Sequence, residues 1–198
     1  MPARSGRRRL APEARRSQIL EAAFRCFAEK GFHAARMDDL VQASGLSKGS
    51  LYWHFESKED VFLALFDALE AAVFAAWEAE AEHAHDTLAL LRRDGEIVLE
   101  RMASQRMLVG AWMEFLAHPA ARARLELTYR RSRARLAERI DRGIAAGELR
   151  EDLPVDDVAA LLTGLVEGLL LQTFVDPAFD ARESFARGFA VIERGIAR

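Results

Sequence analysis

Cysteine, lysine and long apolar runs are all scarce in this chain of 198 residues. A single cysteine, Cys26, excludes an intramolecular disulfide. Its setting among apolar residues of a predicted helix reads as a small buried hydrophobe rather than a redox sensor. No apolar stretch reaches the ~20 residues of a membrane span, and the Arg-rich start lacks the apolar core of a secretory signal. A cytoplasmic protein with no membrane partner is therefore expected. Alternation of apolar and polar residues, the mark of a half-buried strand, is missing throughout. So are a Gly-rich loop ending in Lys-Ser/Thr, Gly-x-Ser-x-Gly and His-Glu-x-x-His, which argues against an enzyme. No catalytic residue and no cofactor are assigned.

What remains is ordinary in bulk and uneven in detail. Hydrophobic residues make up 51% of the chain, enough for a substantial core. The net charge is only -3, but residues 1–58 carry 11 Lys and Arg against 6 Asp and Glu, whereas the rest carries 17 against 25. A basic front on an acidic body is the asymmetry expected when one end meets a polyanion. Residues 1–11, with Arg4, Arg7, Arg8 and Arg9, cannot bury apolar surface and are expected to form a disordered basic arm, either a solvated tail or one that follows DNA.

Helical periodicity and end signals divide the remainder. A helix is predicted from Pro12 to Lys30, with Gly31 as its stop and Phe32 packing back on it. Short helices follow at about 37–44 and 48–54, the second capped by Ser47. Ser57 with Asp60 caps a long fourth helix whose inward stripe is Phe62, Phe66, Leu69, Val73 and Trp77. Further helices are expected at about 87–103, 105–117, 119–146, 154–175 and 181–197, with Pro119 and Pro154 in first turns, Gly147 as a stop and Asp180 with Glu183 as a capping pair. The fold class is all-α with about nine helices: a three-helix unit over 12–56 and a larger helical unit over 57–198.

The segment from Gly45 to Asp60 carries the chemistry. A Gly-containing turn that sets two short helices at a steep angle is the frame of a helix-turn-helix, whose second helix enters the major groove of DNA. That helix offers Ser47, Lys48, Ser50, Tyr52, Trp53 and His54, and Gly49 lets the backbone approach closely. Lysine is a compact charge suited to phosphate, and hydroxyls and helix N-terminal N–H groups serve phosphate without a full charge. Only 3 of the 28 basic residues are lysine, and two of them, Lys48 and Lys58, bracket this helix.

Phe24, Phe27, Lys30-Gly31-Phe32, Met37-Asp38-Asp39-Leu40, Ala43 through Phe55 and Ser57-Lys58-Glu59 closely resemble the N-terminal DNA-binding domain of the TetR (tetracycline repressor) family, over about residues 13–62. The resemblance implies phosphate contacts from Lys48, Tyr52, His54 and Lys58, with Ser47, Gly49, Ser50 and Trp53 facing the groove. One departure is Ala35-Arg36, where the family has a Thr-Thr or Thr-Ser pair: Arg36 is able to replace a phosphate contact but not a hydroxyl cap. Arg130-Arg131, Arg133 through Leu149 and Gly164 through Gln172 resemble the ligand-binding domains grouped with betaine- and drug-responsive repressors of that family.

The implied protein is a dimeric transcriptional regulator, a repressor by family default, that binds a palindromic operator and is released by a small lipophilic effector. Phe185, Phe189, Ile192 and Ile196 form one stripe of the last helix, and Ala160, Gly164 and Gly168 a small-residue row on the helix before it. Both faces are expected at the homodimer interface, the alternative being that they pack internally. An effector cavity is expected among Phe66, Phe74, Trp77, Met102, Trp112, Phe115, Tyr129, Glu167 and Phe174. Glu114 and Glu167 need partners in apolar surroundings, either arginines of the 119–146 helix or a lipophilic cation. Coupling of cavity to reader through the fourth helix would have the usual size of ~1–3 kcal/mol. The rival readings are a helical interaction module that has lost operator binding and a metal protein using Glu114 and His118. His83 and His85 are too poorly aligned on a helix to share a metal.

Overall fold

A computed structural model describes residues 12–81, 86–103, 110, 113 and 118–198. Eight helices run through them: α1 (Pro12–Ala34), α2 (Met37–Ser44), α3 (Lys48–His54), α4 (Lys58–Ala81), α5 (Thr87–Ala103), α6 (Pro119–Ala145), α7 (Val155–Val175) and α8 (Ala181–Ile196). Among the described residues the only β pairing is a single antiparallel bridge, Leu149 with Ala197. The basic arm and most of the helix expected at 105–117 lie outside the described residues, as do His83 and His85.

Local chemistry sets these boundaries. Gly31 interrupts α1 at φ 75° and ψ 167°, a conformation only glycine adopts easily. The break turns Phe32 back so that its ring lies 5.9 Å from Phe27 and 5.2 Å from Phe62. Gly45, at φ 66°, closes α2 and leaves the chain aimed into α3. At α4 the capping box is complete: Asp60 N–H donates to Ser57 Oγ and Ser57 N–H donates to the Asp60 carboxylate, both at 3.1 Å. Asp180 accepts from Glu183 N–H at 2.9 Å to start α8.

Two cores result. In the first, Ile19, Ala23, Phe27, Leu40 and Leu51 of α1–α3, with Phe55 just past α3, close over Val61, Phe62 and Leu65 of α4. Packing therefore carries the reader's core into α4, past the Ser57 boundary that its cap suggests. In the second, Leu99 of α5, Leu136 and Ile140 of α6, Leu162, Val166 and Leu169 of α7, and Phe185 and Phe189 of α8 interdigitate. Here the expected dimer stripe needs correction. Phe185, Phe189 and Ile196 are buried within the chain and face its own core, whereas Ile192 packs against that core while staying half-buried. Gly95 explains the closeness of α5 and α8: a Cβ there would fall 2.2 Å from the Phe185 ring.

A second correction concerns α7. It is 21 residues long and an 18-residue window of it reaches a mean hydropathy of 1.8, so by length and composition it matches a membrane span, contrary to expectation. The reason is its two apolar faces. Val158, Leu162, Val166 and Leu169 fill the second core, whereas Leu161, Leu171 and Val175 are exposed. Ala160 and Gly164 share that outer side, and a Cβ at Gly164 or Gly168 would meet nothing within 4 Å.

Candidate nucleic-acid interface and effector cavity

Helix α3 is held by one side and presents the other. Leu51 anchors it in the first core. Ser47 Oγ accepts the Ser50 N–H at 3.2 Å, fixing its start. From α1, Gln18 Nε2 donates to Ser44 O at 2.9 Å, clamping the turn between α2 and α3. On the free side Ser47, Lys48 and Gly49 are exposed, Ser50 is half-buried, Tyr52 is 43% exposed and Trp53 is 73% exposed. An indole that bare is rare on a protein surface unless something covers it. His54 is half-buried at the end of α3, with its ring 4.5 Å from that of Trp53. Lys48 Nζ is held 2.8 Å from the Asp38 carboxylate and 5.9 Å from the Tyr52 ring.

Arg36 sits at the start of α2 and is exposed. A guanidinium has no acceptor, so the cap is one-sided: Arg36 N–H donates to the Asp39 carboxylate at 2.9 Å, with nothing from the Arg36 side chain in return. Lys30 Nζ, 2.8 Å from Asp39, and that backbone N–H together hold the Asp39 carboxyl below its ordinary range. Ala35, which carries no hydroxyl, is buried in the first core.

Lys58 departs from expectation. Its Nζ donates to the carbonyls of Phe32 (2.9 Å), His33 (3.1 Å) and Ala35 (3.1 Å), and it lies 4.6 Å from the Phe32 ring. Those three bonds use every donor of an ammonium group. Lys58 closes the carboxyl end of α1 instead of facing a phosphate.

Below the reader, α4–α8 enclose a cavity of about 380 Å³, within the range of small-molecule sites. Its walls are mostly apolar, with Phe66, Phe74, Trp77, Met102, Tyr129 and Glu167 among the lining residues, as are Phe185 and Phe189. Phe174 is a correction: it is absent from the lining, 44% exposed, and its ring lies where a Cβ on Gly110 would fall. Trp112, Phe115 and Glu114 lie outside the described residues. His118, the other half of the metal reading, caps α6 by accepting the Ala120 N–H at Nδ1, 3.3 Å away. Burial raises the Glu167 carboxyl despite a hydrogen bond from Tyr129 and the nearby charge of Arg133. Burial and the Glu167 charge push the Tyr129 phenol well above its usual range.

Sequence reasoning missed two lining carboxylates, Glu70 and Asp94. Asp94 forms a buried ion pair with Arg139 of α6, their side chains 3% and 1% exposed. Arg139 also donates to Trp77 O at 3.0 Å, and Trp77 Nε1 donates to Asp94 O at 3.0 Å, so α4, α5 and α6 are tied at one point. The signal was available: Glu70 lies between Phe66 and Val73 on the inward stripe of α4, and Asp94 between Leu91 and Val98 on that of α5. The Arg92-Arg93-Asp94 run reads as a solvated charge cluster and hides it.

A capped, outward-facing α3 on a three-helix core, joined through α4 to a helical unit with a cavity, agrees with two sequence matches. Residues 19–65 match the model of bacterial regulatory proteins of the tetR family, and residues 88–198 match the C-terminal region of BetI-type transcriptional repressors. The chain belongs to the TetR family. This TetR-family chain is similar to the transcriptional repressor AcnR of Corynebacterium diphtheriae, 32% identical over 158 residues that span 79% of each chain. It is also similar to the transcriptional regulator UidR of Escherichia coli, 28% identical over 182 residues, 91% of this chain and 92% of that one. Among solved structures, a protein from Saccharomonospora viridis in complex with choline matches with a TM-score of 0.80 at 27% identity, covering 95% of this chain and 100% of that one. The protein is thus a DNA-binding helix-turn-helix transcriptional repressor of the TetR family, and not an enzyme.

Proposed function

We propose that the protein acts as a homodimer on a palindromic operator, with α3 of each copy in the major groove, and that a small lipophilic effector in the cavity releases it. One observation supports this above the others. Phe62 and Leu65 of α4 belong to the reader's core and also line the cavity. A ligand that displaces these side chains therefore moves the floor on which α3 stands. Effector binding that favours a wrongly spaced pair of readers lowers operator affinity by its differential affinity for the two arrangements. The Saccharomonospora viridis neighbour, with its choline, supports the view that this fold holds a small molecule.

Tyr52, Trp53, Lys48, Gly49 and the Ser47 cap form the contact surface, with Ser50 and His54 at its margin and Arg36 beside it. Two such surfaces ~34–36 Å apart suit one turn of duplex. The exposed apolar side of α7 supports pairing of two copies there. The test is footprinting on the DNA upstream of the protein's own gene, with and without Lys48→Ala. A symmetric footprint is expected for the native protein. Lys48→Ala is expected to weaken binding across all sequences and to reduce the salt slope by about one unit. An unchanged slope removes Lys48 from the contact surface.

A further inference from the structure

Every charged side chain among the described lining residues of the cavity is a carboxylate: Glu70, Asp94 and Glu167. Among the described residues, no Lys or Arg appears in that lining. Two of the carboxylates also keep a buried oxygen with no hydrogen-bond partner, Glu70 Oε1 and Asp94 Oδ1. Asp94 is 97% buried by its side-chain exposure of 3%, with its other oxygen on Arg139. An orphaned buried acceptor costs free energy until a donor reaches it. Of the three, Glu70 and Asp94 are the ones that carry an unsatisfied buried acceptor.

Around them the walls are hydrocarbon and aromatic, from Phe66, Phe74, Val98 and Leu136 among others. A fatty-acid carboxylate placed here would meet further carboxylates, of which only Asp94 has an ion-pair partner, in surroundings that screen poorly. A neutral apolar molecule would fill the space and leave both acceptors orphaned. A quaternary ammonium would answer the charge, yet it has no N–H to donate. We propose that the cavity takes a protonated alkyl or arylalkyl amine, its N–H groups donating to Glu70 and Asp94 and its apolar body lying along the Phe66–Phe74 wall. This rests on the reading of the cavity as the effector site and narrows it to one chemical class. Ammonium donors meet carboxylate acceptors in charge-assisted hydrogen bonds, which are stronger than neutral ones.

Four probes that share one body test it on the full-length protein by isothermal titration calorimetry: octylamine, octyltrimethylammonium, octan-1-ol and octanoate. Octylamine is expected to bind at least tenfold more tightly than each of the others. Glu70→Gln should weaken octylamine at least fivefold and leave octan-1-ol within twofold, which a merely structural Glu70 would not do. If Glu70→Gln fails to fold, the probe ranking on the native protein decides alone. Equal binding of octylamine and octyltrimethylammonium overturns the donor requirement, and equal or tighter binding of octanoate or octan-1-ol overturns the proposal altogether, as does the absence of binding by all four. Operator release is read in parallel. Octylamine that binds through Glu70 without loosening the operator leaves the amine site standing and removes the effector role. Release by octan-1-ol as strong as by octylamine keeps the effector role and removes the amine preference.

Discussion

An ammonium group has three donors, and at Lys58 all three point at carbonyls at the carboxyl end of α1, Phe32 and His33 in its last turn and Ala35 just past it. Helix ends leave such carbonyls without intrahelical partners, and a cation is favoured there by the helix dipole as well. Lys48 has the opposite situation, a single exposed carboxylate partner at Asp38, which a phosphate is able to replace. Their roles follow from geometry, not residue type. Lys58→Met retains most of the packing of the stem over Phe32 and removes the donors. It is expected to lower the stability of the free protein by about 1.5–3 kcal/mol, the usual contribution of a hydrogen bond to a charged group. The salt slope of DNA binding should stay unchanged. Urea unfolding and salt-dependent binding check the two halves separately. A reduced slope with full stability would return Lys58 to the phosphate surface.

At the scale of elements, the ends of the helices were readable because each end has its own local chemistry. Ser47 with Ser50, Ser57 with Asp60, and Gly31, Gly45 and Gly147 at positive φ are signals carried by one to four residues. Which side of α8 faces inward was not readable. Phe185, Phe189 and Ile196 define an apolar stripe, but periodicity says only that the stripe needs cover, not whether the cover comes from α5 or from another copy. The Asp94–Arg139 pair was hidden for a related reason: its partners are 45 residues apart, and only the tertiary packing of α5 on α6 joins them. That pair has a pH signature. Burial, opposed by the charge of Arg139, pushes the Asp94 carboxyl up to about 6 from 3.8. Between these values the folded chain keeps a proton that the unfolded chain has released. The group's stabilising contribution is therefore full below the unfolded value and is lost as pH rises through about 6. Asp94→Asn removes this titration. Denaturant unfolding at several pH values is expected to show the native protein losing ground to Asp94→Asn as pH rises over that interval. A gap that moves the other way would show that the attraction of Arg139 outweighs desolvation.

For the molecule as a whole, the decisive surface is the outer side of α7, with Val191 exposed on α8 as well. Leu161 is 70%, Val175 75% and Val191 61% exposed. Soluble monomers rarely leave large contiguous apolar patches open, and the beds around Gly164 and Gly168 have room for a close neighbour. Pairing two copies along this face would cover the patch and set two α3 helices on one side of the assembly, which a twofold operator requires. The opposite face of the same two helices, with Phe189 at its centre, belongs to the chain's own core, so the two faces separate by mutation. Leu161→Glu with Val175→Glu is expected to yield a folded monomer with the native helical content. Its mass by analytical ultracentrifugation should be half that of the native protein, and it should retain only weak, salt-sensitive DNA binding. Phe189→Ala is expected to do the reverse, lowering stability by about 3–5 kcal/mol, the usual result of emptying a buried aromatic site, while the surviving folded fraction remains paired. A Leu161→Glu, Val175→Glu protein that stays dimeric and footprints symmetrically would mean that the partner sits elsewhere, and the exposed side of α7 would then need a different occupant.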